Sequence, residues 1–82
     1  MDFSKYTREQ LIAALNNEYE YLCHDNFDPE VDWPPAKMLE SLQKQTIEQL
    51  RDEVAATIKD SNIGQDDADQ ISLDDYMIRW LQ

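Results

Sequence analysis

The stretch TREQLIAALNNEYEYLCHDNFDPEVDW, Thr7 to Trp33, decides the fold. Thr7 and Gln10 have the spacing of a reciprocal cap. The Thr7 hydroxyl accepts from the Gln10 backbone N–H, and the Gln10 side chain accepts from the Thr7 N–H. Tyr6 before the cap and Leu11 after it can staple the entry to the helix. Ile12, Leu15, Tyr19 and Leu22 recur at steps of three and four, on one helical face. Asn16, Asn17, Glu18 and Glu20 fall mostly elsewhere. Asp25 and Asn26 compete for backbone hydrogen bonds and Pro29 lies close behind, so the helix should end near Cys23 to Asn26. The second half of the stretch reads as an ordered acidic loop, with Phe27 and Trp33 folded back onto the helices.

Three further helices follow. Pro34 and Pro35 suit a first turn, where missing N–H groups do no harm, and Asp32 is the candidate cap. Met38, Leu39 and Leu42 give that helix its inward face. Thr46 and Gln49 repeat the capping spacing, and Ile47, Leu50, Val54 and Ile58 follow with helical period. Ser72 and Asp75 form a third cap, with Ile71 and Tyr76 as its staple and Tyr76, Met77, Trp80 and Leu81 as the apolar face. The helices are expected over 8–23, 35–44, 47–59 and 73–81. Residues 1–6 form a lead-in that Phe3 and Tyr6 pin to the core. Asp60 to Gln70 is polar and holds the only glycine, Gly64, so it reads as a mobile loop. Thr7–Leu11 and Thr46–Leu50 share four of five residues. This reflects a common helix start, since the residues that follow do not match.

The expected fold is all-α: one domain over 1–82, with three or four short helices around one core. Both a four-helix arrangement and three helices with a docked tail fit. The core candidates are Leu11, Ile12, Leu15, Tyr19, Leu22, Met38, Leu39, Leu42, Leu50, Val54, Ile58, Tyr76 and Trp80. A single glycine in 82 residues argues against a turn-rich β fold. A chain this short buries only about 60–65% of the surface its unfolded form exposes, so its stability is expected to be modest.

The net charge of −11 points away from nucleic acid and anionic membranes and towards basic surfaces. Twelve of the 18 acids fall in two spans without a base. One holds Glu18, Glu20, Asp25, Asp28, Glu30 and Asp32. The other holds Asp60, Asp66, Asp67, Asp69, Asp74 and Asp75. No apolar run is long enough for a membrane span or signal peptide, and Cys23 is the only cysteine. These features suggest a reducing, cytoplasmic setting.

No catalytic, cofactor-binding or metal-binding constellation stands up. Asp60, Asn62 and Gly64 resemble a calcium loop, but Gln65 and Ile71 occupy the positions that need Gly and Glu. Asp25, Asp28, Glu30 and Asp32 follow no ligand spacing. Cys23 and His24 are neighbours that point about 100° apart on a helix, poorly placed as nucleophile and base. Cys23 reads as packing and His24 as a helix-dipole partner. The pairs Asp66–Asp67 and Asp74–Asp75 lack the desolvation that acid–base work needs.

EYEYLCHDNFDPEVD, together with the terminal DDYMIRWL, resembles small acidic uncharacterised proteins of cyanobacteria. The matching points are Leu22 to Asp25, Phe27 to Pro29, a short proline-initiated helix and the final acidic-aromatic helix, about a third of the chain. The resemblance implies no activity and no catalytic residues.

The functional expectation is a non-enzymatic interaction module, an adaptor or regulator docking on a basic protein surface without a cofactor. The candidate contact residues are Glu30, Asp32, Asp66, Asp67, Asp69, Asp74, Asp75, Tyr76 and Trp80. One alternative is an inhibitor that mimics nucleic acid, of phage or anti-defence type. Another is a weak divalent-cation binder or small enzyme. Self-association through Met77 and Trp80 also stays open.

Overall fold

The computed structural model describes residues 2–26 and 34–81. Four α-helices pack into one globule: α1 (Arg8–Asn26), α2 (Pro35–Gln43), α3 (Ile47–Asn62) and α4 (Leu73–Trp80). No strand occurs among the described residues. Helix α1 is the hub. It packs against each of the other three, and α3 also meets α4. Phe27 and Trp33, expected against the helices, lie outside the described residues, as do Glu30 and Asp32.

Three helix starts form as their spacing predicts. Thr7, Thr46 and Ser72 each accept from the backbone N–H three residues on, at 3.1–3.2 Å. Gln10, Gln49 and Asp75 accept in return from the cap N–H at 2.8–2.9 Å. Each box satisfies two backbone donors that a helix start otherwise leaves unpaired, and a cap residue contributes about 1 kcal/mol. Helix α2 starts differently. Pro34 is its N-cap, in extended conformation, with no side-chain cap. The Pro34 carbonyl accepts from Lys37 and Met38, and Asp32, the candidate cap, lies outside the described residues.

The core is built from Leu11, Ile12, Ala14 and Leu15 of α1, Leu42 of α2, Leu50, Val54 and Ile58 of α3, and Leu73, Tyr76 and Met77 of α4. Phe3, Tyr6, Met38, Leu39, Ile47, Ile71, Trp80 and Leu81 pack against it from the edge. Leu22, expected inside, is 53% exposed, and Tyr21 beside it is 56% exposed. The cause is length. At 1.5 Å per residue, the 19 residues of α1 span about 28 Å, while the nine of α2 and eight of α4 span about 12–14 Å. The end of the apolar stripe therefore outruns α2 and is left flanking a cleft with α4 and the loop before it. Met77, fully buried, is unavailable to a second copy of the chain.

α1 reaches the far edge of the range expected for its end, and α3 runs further than expected. α1 continues through Asp25 to Asn26. α3 continues to Asn62, and this changes the reading of Asp60 to Gln70 as a mobile loop. The Asn62 Nδ2 donates to the Ile71 carbonyl at 3.0 Å, and its Oδ1 accepts from the Ile71 N–H at 2.8 Å. Gly64 makes the turn at φ +78, and a 3-10 turn follows at Asp67–Asp69. The loop is thus clasped at both ends.

Long polar side chains tie the helices together. Arg8 of α1 donates from Nη2 to the carbonyls of Gln43 and Gln45, which lie at and beyond the end of α2. Asn17 of α1 donates from Nδ2 to the Trp80 carbonyl at the end of α4. Each bond supplies a donor to a helix terminus short of partners.

Candidate functional site

The described candidate residues divide into two groups with different roles. Asp74 and Asp75, in the first turn of α4, serve the fold. Asp75 closes the Ser72 capping box. Asp74 accepts from the Tyr6 hydroxyl at 2.5 Å and from Lys5 Nζ at 2.9 Å, which tethers the N-terminal segment to α4. The Tyr6 hydrogen bond, then that of Lys5, hold the Asp74 carboxyl below its ordinary 3.8. Tyr76 is also a fold residue: at 1% exposure its ring belongs to the core, while the residue lines the cleft described below.

The second group faces water. Asp66, Asp67 and Asp69 are exposed on and beside the 3-10 turn, at the acid-rich edge of the clasped loop. The ion pairs formed among the described residues, Lys5–Asp74 and Lys44–Glu40, use none of them. Asp69 also lines a cleft of about 340 Å³ between α1, this loop and α4. The exposed Tyr21 and Leu22 form one wall with the partly buried Trp80, whose ring meets that of Tyr21 edge-on at 5.5 Å. Arg79 lies over the Trp80 ring at 4.9 Å. Trp80 is the candidate aromatic that stays partly exposed.

Of two polar groups in the cleft, the sequence named Tyr76 as a candidate contact and did not name Glu18. Glu18 is half-buried there, and burial raises its carboxyl above the ordinary 4.5, with nearby Arg79 opposing. The Tyr76 hydroxyl is buried and has no hydrogen-bond partner among the described residues. Burial first, then the charges of Glu18 and Glu53, push this phenol well above its ordinary 10.0. The available signal for Glu18 was its place between Leu15 and Leu22, at the margin of the apolar stripe. The missing partner of the Tyr76 hydroxyl gave no sign in the sequence.

Among the described residues, no three His, Cys, Asp or Glu side chains gather closely enough to hold a metal ion. Cys23 is a free, partly buried thiol. The His24 side chain lies outside the description, and with it any Cys23–His24 geometry. No helix is long and apolar enough to cross a membrane among the described residues.

The titration of this scaffold predicts how stability varies with pH. Asp74 has a lowered pKa in the fold, so its contribution is present above about 3.8 and is lost as pH falls through the lowered value. Tyr6 and Tyr76 have raised values, so their contribution is present below about 10 and is lost as pH rises beyond it. Urea midpoints of the native chain and of Asp74→Asn should differ at neutral pH and converge in strong acid. A difference that persists unchanged in acid contradicts the tether.

No family model, curated protein or solved structure matches this chain.

Proposed function

We propose that this chain is a non-enzymatic, cytoplasmic interaction module that docks on a basic protein surface, as an adaptor or regulator. The observation that supports the reading is one of adjacency. An exposed acidic turn, Asp66 to Asp69, borders a cleft whose wall is Tyr21, Leu22 and Trp80. Aromatic anchors beside charge are the parts an interface uses. Charge steers the encounter, and the buried ring slows dissociation. A turn of carboxylates without ion pairs among the described residues also does little for the isolated fold, because like charges close together oppose compaction.

The test is affinity capture from the native host's extract at low salt, with elution by rising salt. Basic proteins should be released by salt, since screening weakens exposed charge pairs beyond about 10 Å at 0.1 M ionic strength. A partner that is acidic, or one held equally well at high salt, contradicts the reading.

A further inference from the structure

The cleft carries two polar groups in an unfavourable state. The Tyr76 hydroxyl is buried and has no hydrogen-bond partner among the described residues. An unpaired buried hydroxyl is destabilising, and phenylalanine would fill the same space without it. Glu18 is half-desolvated, with no ion pair formed to Arg79 among the described residues. Both groups line the same cleft. Beside them the cleft offers apolar wall, from Tyr21, Leu22 and Trp80, a further carboxylate, from Asp69, and one cation, Arg79, which is stacked on the Trp80 ring against two carboxylates.

A guest that relieves both groups must bring positive charge and N–H donors on an apolar stem. An anion is repelled by Glu18, Asp69 and a chain of net charge −11. A purely apolar side chain leaves the hydroxyl and the carboxylate unpaired and more deeply buried. We propose that the cleft receives one lysine side chain of the partner, its ammonium paired with Glu18 and donating to the Tyr76 hydroxyl, its methylene stem lying against Trp80 and Tyr21. Lysine suits this shape because its charge is compact and its stem packs on apolar surface. The inference rests on the basic-partner reading above and places the anchor within it.

The test uses the full chain, isotope-labelled, and a short oligolysine peptide as probe. The same peptide with every Nζ acetylated is the control. Shifts in the amide spectrum should concentrate on residues 18–22, on 65–71 and on the Trp80 indole, and the acetylated peptide should leave them still. Glu18→Gln should weaken oligolysine binding roughly tenfold, as expected for losing a partly buried charge pair. Asp52→Asn makes the same charge change at an exposed position on α3 outside the cleft, and should weaken it less than about twofold. Tyr76→Phe should weaken binding several-fold and at the same time raise the melting temperature, because it removes the unpaired hydroxyl. This opposed pair of effects also answers the case in which a variant loses binding by misfolding. Equal losses for Glu18→Gln and Asp52→Asn, or shifts spread over every acidic face, overturn the lysine site and leave the basic-partner reading standing. No oligolysine binding even at low salt overturns both.

Discussion

Replacing Leu11 by alanine should lower the stability of the fold by about 3 kcal/mol, within the range for a fully buried leucine. Leu11 has no solvent exposure and sits one turn into α1, the helix that all the others pack against. Removing its side chain opens a cavity that α1 cannot close without shifting away from its neighbours. A domain of this length has a total stability of about 4–12 kcal/mol, so the loss removes a large share of it. The expected fall in melting temperature is about 10–25 °C. The informative comparison is Leu22→Ala, on the same stripe of the same helix. Leu22 is half in water, so its removal should cost less than about 1 kcal/mol. Denaturant midpoints of the two variants decide the point. Equal losses would mean that the stripe is buried over its whole length and that the cleft wall does not exist.

The second large effect is expected at Asn62. Asn62→Ala removes both hydrogen bonds of the clasp and leaves the partly buried N–H and C=O of Ile71 without their partners. At about 1 kcal/mol for each bond, the loss should be about 2 kcal/mol. Its local signature is more specific than its size. Amide exchange at Ile71 should accelerate, and the turn at Asp67–Asp69 should lose its fixed position beside the cleft. If Asn62→Ala leaves both Ile71 exchange and stability unchanged, the segment is the mobile loop that its composition suggests.

That segment shows where the sequence was readable and where it was not. The capping boxes at Thr7, Thr46 and Ser72 depend on residues three apart, so local spacing was enough to place three of the four helix starts. The core of α3 was readable for the same reason: Leu50, Val54 and Ile58 repeat at four-residue steps and all are buried. Contacts between distant positions left no such trace. The Asn62 clasp reaches nine residues, the Arg8 bonds reach 35 and 37, and the Asn17 bond reaches 63. Each polar side chain involved has many plausible partners until the helices are docked. The exposure of Leu22 is of the same kind, because it follows from the relative lengths of α1 and α2 and not from its own position in the period. Ala14 and Leu73 were missed as core, the first for its small size and the second for its place beside an acidic cap.

The candidate site was legible in part. Composition located the acidic turn and singled out Trp80. It also grouped Asp74 and Asp75 with the turn, although the tether to Lys5 and Tyr6 and the capping box occupy them. A carboxylate that caps a helix and one that waits for a partner are identical in sequence. Glu18 and the state of the Tyr76 hydroxyl became visible only once α1 and α4 were side by side.

The central claim is that the partner docks where the acidic turn meets the aromatic cleft. Hydrogen exchange of the chain, measured alone and bound to the basic protein captured from the host, tests it most directly. The account predicts slowed exchange around 18–22, across 65–71 and at the end of α4. Protection confined to α2 and the first turns of α3, with the cleft unchanged, would contradict it.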